Sequence, residues 1–379
     1  MRRLLPLLCG LLMTACTQRT SRPIGDFTLP VYTPRYASGF EITGAPDSRS
    51  TLLTVRNPWY GTEVTAQRLF IARDGDETPA GFEGQVLRDE ARRVVCMSGS
   101  YVAMLDALGA ADRVVGVSGE QYLLNKTVRS RLASGTAADV GFDSNIDFER
   151  LVALRPDLVM LFGIGGADTG LTGKLRELGI PYVYMGEHCE ESPLGKSEWL
   201  IAAAEIAGCR DEGIRRFAAI PERYERLRAV ARQSTERPRV MLNTPYRDTW
   251  FMPARNSYMV RLIEDAGAQY VFAENTAAQT QPIDFERAYY LTRQADFWLN
   301  TSGCETLEDL RRQNPRLAST PPVREGRVYD NNRRRNAAGG SDFWESGVLR
   351  PDRVLADLVL IFHPELSETD ELYYYRRLE

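Results

Sequence analysis

The stretch VGFDSNIDFERLVALRPDLVML, residues 140–161, decides the fold because its central five residues occur twice. Ile146-Asp147-Phe148-Glu149-Arg150 returns as Ile283-Asp284-Phe285-Glu286-Arg287. Each copy runs into a short helical pattern and then an apolar strand: LVALRPDLVML after the first, AYYLTRQADFWLN after the second. One structural unit used in two lobes accounts for this. On a helix, Phe148, Leu151 and Val152 fall at i, i+3 and i+4 and predict one buried face, which Phe285, Ala288 and Tyr289 repeat. Asp147 and Asp284 stand at the helix starts, where a carboxylate caps free N–H groups and meets the positive dipole end. Glu149 and Glu286 lie about 100° round from the Phe, at the edge of the buried face. They are either ordinary first-turn acids or a matched pair of charges, one per lobe, offered to a partner.

Strand–helix alternation spreads outward from both copies. Strands are predicted at Val94–Met97, Arg113–Val117, Leu158–Phe162 and Pro181–Met185, then at Arg239–Asn243, Phe297–Asn300 and Arg327–Asp330. Gly109, Gly179 and Gly267 close the intervening helices. The pattern is α/β: two Rossmann-like lobes, 93–195 and 238–365, each on a parallel sheet. A single long helix over 196–237 joins them, with Pro221 as a kink or break, and 366–379 is a C-terminal tail. Before the lobes, FEITG, TLLTVRN and AQRLFIAR alternate as strands and mark a small β extension over 40–92, its end (74–92) an exposed connection.

Arg2 and Arg3 precede an apolar run from Leu4 to Met13, too short to span a membrane and shaped like a secretory leader. The following Thr14-Ala15-Cys16 resembles the lipobox of bacterial lipoproteins, which implies a signal peptide over 1–15 and acylation of Cys16. A plain signal cleaved near Ala15 fits the same residues. Residues 16–39, rich in Pro, Thr and Arg, read as a tether. A net charge of −4 gives no reason to expect a nucleic-acid partner. Cys96, Cys189, Cys209 and Cys304 remain; export permits disulfides, but four cysteines allow three pairings and the spacing selects none. Cys96, inside an apolar strand, reads as a core residue.

The stretch RVVCMSGSYVAMLDALGAADRVVGVS, residues 93–118, resembles the opening of the class III, helical-backbone periplasmic substrate-binding proteins. These serve ABC importers of ferric siderophores, cobalamin and haem. The likeness continues through residues 140–161, LRELGIPYV and GRVYD, and covers roughly 93–365. It implies two lobes on one rigid helix, a ligand between them and no enzymatic activity. It also implies a periplasmic, membrane-anchored lipoprotein, monomeric, that meets an ABC permease and its ATPase; a lipid-tethered solute-binding scaffold without a permease is the alternative. In that family one Glu per lobe docks onto permease Arg residues. Glu149 matches the first position directly, and Glu286 the second through the repeat. The chain departs from the family at Ser98-Gly99-Ser100-Tyr101, where a Pro and a Thr-Glu are usual, so ligand contacts do not carry over at that turn.

Loops at strand ends supply the candidate ligand contacts: Ser100 and Tyr101, Tyr122, Gly165 in the turn 163–166, His188, Tyr246, Arg247 and Trp250, and Arg333 and Arg334 beside Arg335. Each is also an ordinary polar loop residue. Tyr246, Arg247 and Trp250 would suit a flat ligand. Adjacent cations at 333–335 repel unless their side chains diverge, and an anion such as a ferric siderophore or a haem carboxylate would relieve them. The chain has two His and no Cys or His pair at ligand spacing, so no metal site and no cofactor are expected, the iron or cobalt arriving inside its chelate. His188, among Glu187, Cys189, Glu190 and Glu191, is a candidate metal or haem axial ligand, but the set is adjacent rather than convergent. No nucleophile elbow, phosphate-gripping loop or dinucleotide fingerprint occurs.

Overall fold

The computed structural model describes residues 22–59, 66–163, 170–246, 249–277, 279–301 and 304–379. The N-terminal sheet comes first: β1 (Leu29–Tyr32), β2 (Phe40–Gly44), β3 (Thr51–Arg56), β4 (Ala66–Ala72) and β5 (Gln85–Arg88), in sequential order, antiparallel except between β4 and β5. β2 buries one face by alternation, whereas β3 and most of β4 are covered on both. Ile42, Leu53, Val55, Leu69 and Ile71 join the main core, whereas Leu52, Phe70 and Ala72 pack on Phe27 and Phe82. The expected tether is therefore too long, because Leu29–Tyr32 already pairs in the sheet. Residues 74–92 are likewise more than an exposed connection: β5 lies in them and buries Leu87.

Lobe one holds β6 (Val94–Cys96), β7 (Val114–Val117), β8 (Ala138–Asp139), β9 (Leu158–Phe162) and β10 (Tyr182–Met185), all parallel, in the order β10-β9-β6-β7-β8. Its helices are α1 (Gly99–Ala107), α2 (Lys126–Ala133), α3 (Phe148–Ala153) and α4 (Gly170–Glu177). The strand order reverses between β6 and β9, so the crevice at their carboxyl ends is the ligand position that an open α/β sheet provides.

The connection is three helices rather than one: α5 (Pro193–Glu198), α6 (Leu200–Ile206) and α7 (Arg210–Ala231). Ser192 caps α5 and Pro193 occupies its first position. Gly208, in the left-handed region, separates α6 from α7. Pro221 does not break α7, which runs through it. This helix bridges the lobes: Arg210 pairs with Glu205 at 2.7 Å at one end, while Arg223 meets Asp352 and Tyr224 meets Asp265, both at 2.7 Å, toward the other.

Lobe two contains β11 (Arg239–Leu242), β12 (Trp250–Met252), β13 (Gln269–Tyr270), β14 (Gln281–Ile283), β15 (Phe297–Leu299), β16 (Val328–Asp330) and β17 (Arg376–Arg377). The main sheet runs β13-β11-β15-β16-β17, with β17 antiparallel to its neighbour, while β12 and β14 form a separate pair. Its helices are α8 (Tyr258–Asp265), α9 (Phe285–Thr292), α10 (Leu307–Gln313), α11 (Pro321–Arg324), α12 (Asp342–Glu345) and α13 (Pro351–Phe362). Its order reverses between β11 and β15, and Asn243 and Asn300, which follow those strands, both take positive φ. The C-terminal residues are not a tail. Tyr374 and Tyr375 are buried, and the Asp357 carboxylate accepts the N–H groups of Tyr373, Tyr374 and Tyr375. Cys96, Cys189, Cys209 and Cys304 are all free thiols, and Cys96 is buried as expected.

Candidate functional site

Both IDFER copies start a helix the same way. Asp147 accepts from the Arg150 N–H at 2.9 Å, and Asp284 from the Arg287 N–H at 2.7 Å. Glu149 and Glu286 sit in the first turns and are exposed. The shared buried face is only half formed. Leu151 and Ala288 are buried, but Val152 is 44% exposed, because six residues of α3 offer one turn and a half to the core.

The lobes meet along two rims. At the first, the Glu345 carboxylate of α12 accepts the Leu124 N–H at 2.8 Å, and Asn336 donates to the Gln121 and Leu123 carbonyls at 2.9 and 3.3 Å. Gly340 is required there: a Cβ would lie 1.8 Å from the Tyr122 carbonyl oxygen. At the second rim, Glu191 meets Asn256 and lies 3.3 Å from Arg261, and Lys196 stands 4.3 Å from the Tyr258 ring centre. A cavity of about 330 Å³ opens between the second-rim elements. Cys189, Glu190 and Glu191 line it from lobe one; Asn256, Ser257, Tyr258, Gln279 and Thr280 line it from lobe two.

Two carboxylates beside the N-terminus of α1 carry displaced pKa values. Burial raises Glu187 to about 7, against the opposing pull of Lys196 and the Ser100 hydroxyl, which donates to it at 2.9 Å. Burial raises Glu345 to about 7 as well, although Leu124 donates to its charged form. Burial also drives Lys196 down. His188 falls to about 4 by burial and is neutral at pH 7; its Nε2 donates to the Gly163 carbonyl at 3.1 Å and its ring lies 4.3 Å from Phe162. Among the described residues no three His, Cys, Asp or Glu side chains converge as a metal site would need.

Several predicted ligand contacts are core or structural instead. Tyr101 is fully buried and its hydroxyl donates to the Leu161 carbonyl at 3.2 Å. Trp250 is fully buried in β12; its indole donates to the Leu242 carbonyl at 2.8 Å and lies 5.5 Å from Trp298. Ser100 is buried with Glu187 as its partner. The arginine cluster is not an uncompensated charge. Arg333 pairs with Glu371 at 2.5 Å, Arg334 with Asp342 at 2.7 Å and Arg335 with Glu305 at 2.8 Å, so the side chains diverge and each finds an acid. Tyr122 and Tyr246 stay accessible, at 49% and 67% exposure. Tyr122 and Phe142 both close on Gly119, whose positive φ and crowded Cβ position admit little else. Gly165, Arg247 and Cys16 lie outside the described residues. The sequence reading missed Asn256, Ser257, Tyr258, Gln279 and Thr280 as cavity residues. Its available signal was Asn256-Ser257 ahead of an apolar helix, which reads first as a cap.

Residues 94–333, well over half of the chain, match the family model described as periplasmic binding protein. The chain belongs to the periplasmic binding protein family. It is thus a member of a family of substrate-binding proteins, with the two-lobed, helical-backbone architecture of class III. The chain is similar to an uncharacterized lipoprotein of Methanocaldococcus jannaschii, 25% identical over 328 residues that make up 83% of this chain and 76% of that one. In fold it is similar to a periplasmic haem-binding protein from Pseudomonas aeruginosa (TM-score 0.58, 20% identity, 76% of this chain and 98% of that one). It is also similar to a protein of an ABC-type Fe3+-hydroxamate transport system from Saccharomonospora viridis (TM-score 0.54, 17% identity, 72% and 94%). The match begins at Val94, so the N-terminal sheet precedes it. Among the described residues no helix is long and apolar enough to cross a membrane.

Proposed function

We propose that this periplasmic binding protein is a lipid-anchored receptor that captures an iron chelate between its lobes and delivers it to an ABC permease. The observation that carries the reading is the cavity of about 330 Å³ walled by both lobes, at the lower end of the range for small-molecule sites. Its lining offers hydroxyl and amide groups from Asn256, Ser257, Tyr258, Gln279 and Thr280 opposite Cys189, Glu190 and Glu191, and among the described residues no three metal donors converge. Such a lining suits a metal that arrives wrapped in its own ligand, a ferric siderophore first and haem or cobalamin as alternatives. The exposed Glu149 and Glu286 are the permease-docking pair, and Cys16 is the lipid attachment.

Titration of residues 17–379 with a ferric trihydroxamate, a ferric catecholate, haemin and cobalamin, followed by tryptophan fluorescence, tests this. Saturable quenching by one of them at micromolar concentration or below is expected. No saturable binding by any of the four would overturn the chelate reading.

A further inference from the structure

The N-terminal sheet stands outside the matched family core, yet it holds one wall of the cavity. Glu190 lines that cavity and is nearly fully buried. Its carboxylate accepts the Ser38 N–H and the Ser38 hydroxyl at 3.0 Å, the Gly39 N–H at 2.8 Å and the Trp199 indole N–H at 2.9 Å. Eight residues on, the buried Glu198 accepts the Tyr32 hydroxyl at 2.6 Å and the N–H groups of Arg35, Tyr36 and Ala37 at 2.7–2.9 Å. These are charge-assisted bonds made out of water, and a buried carboxylate stripped of its donors is strongly unfavourable. Residues 32–39 are thus tied by hydrogen bonds to both ends of the segment from Glu190 to Glu198.

Steric contacts show the same coupling independently. A Cβ on Gly195 would lie 2.6 Å from the Tyr36 carbonyl oxygen, and one on Gly163 would lie 2.5 Å from the Pro58 carbonyl oxygen. Lobe one keeps glycine where the extension crosses the carboxyl-end rim of its sheet, and Gly163 is also where His188 is anchored.

We infer that the N-terminal sheet is a working part of the ligand site, with Glu190 as its positioning residue: the sheet fixes the wall Cys189–Glu191 and so sets the affinity for the chelate. This rests on the inter-lobe cavity being the ligand site. Seating of the sheet and occupancy of the cavity are then thermodynamically linked, and loosening one weakens the other.

The full mature chain carrying Gly195→Ala or Glu190→Gln tests this. Gly195 does not line the cavity, and the atoms nearest its new methyl would be the extension backbone at Tyr36 and Ala37. Amide exchange of 186–191 in the ligand-free protein is expected to rise at least tenfold in both variants. Binding of haemin or a ferric trihydroxamate, whichever the parent takes, is expected to weaken at least tenfold, while the global unfolding midpoint stays within a few degrees. Should either variant unfold, Ser38→Ala removes one donor and is expected to give a two- to fivefold change in exchange in the same direction. Unchanged exchange at 186–191, or faster exchange with unchanged affinity, would overturn the inference. If no probe binds the parent, the chelate reading fails instead, and exchange alone decides whether the sheet holds the wall.

Discussion

The two IDFER copies begin alike and end differently. In lobe one the helix buries Leu151, and Glu149 makes no ion pair among the described residues. In lobe two it buries Ala288, and Glu286 lies 3.3 Å from Arg316, which also sits 4.5 Å over the Phe285 ring. Five identical residues dictate the cap because capping is local: an Asp oxygen, three residues and a free N–H suffice. They do not dictate the charge that the helix offers, because Arg316 comes from elsewhere in the chain. The matched pair is therefore matched in backbone and unequal in electrostatics.

The most severe test of that comparison is to reverse both charges. Glu149→Lys with Glu286→Lys is expected to cut chelate uptake at least tenfold in a transport assay while leaving the affinity of the purified protein within twofold. Normal uptake by the double variant would end the docking reading. The burial difference is tested by Leu151→Ala, which makes the first helix resemble the second. It is expected to destabilise the chain by about 2–5 kcal/mol in urea unfolding, the range for a fully buried Leu. A loss below about 1 kcal/mol would mean that α3 is not anchored as drawn.

Each lobe also places one buried carboxylate, Glu187 or Glu345, at the facing edge. Both have folded values near 7, above the ordinary 4.5. The folded protein therefore favours the protonated form, so their contribution is complete below pH 4.5 and is lost as the pH rises through 7. Replacing either with Gln is expected to remove about 1–3 kcal/mol of the fall in stability between pH 4.5 and 7.5. A denaturation series across that range, flat in the parent, would contradict it. The smallest effects belong to the caps and to Arg316. Asp147→Ala and Asp284→Ala should each cost about 1 kcal/mol, and equally, if the two copies cap alike. Arg316→Ala should cost less than about 1 kcal/mol, the usual scale of an exposed pair, and should make the two single Glu reversals equal in the uptake assay.

Fold class was legible because strand and helix periods are properties of adjacent residues. Val94–Cys96, Leu158–Phe162 and the capped helix starts could be read without knowing what they touch. The same reasoning erred wherever burial is decided by distant residues. Leu29–Tyr32 resembled tether until β2 supplied its hydrogen bonds, and Tyr374 and Tyr375 resembled tail until Asp357 took their N–H groups. Trp250 looked like a ligand contact beside Tyr246, but strand alternation turns its ring inward onto Trp298. The arginines at 333–335 looked uncompensated because Glu371, Asp342 and Glu305 are spread over the sequence and converge only in space.

From the sequence alone came the two-lobed α/β architecture, the duplicated capped helix, the β character of the extension and the paired acids. All of these rest on interactions spanning a few residues. Only the tertiary structure decided which acids remain unpaired, which aromatics face solvent, where the lobes meet, and that the N-terminal sheet grips Glu190 and Glu198. Those depend on charges and shapes brought together across as many as 221 residues, and no local pattern encodes that meeting.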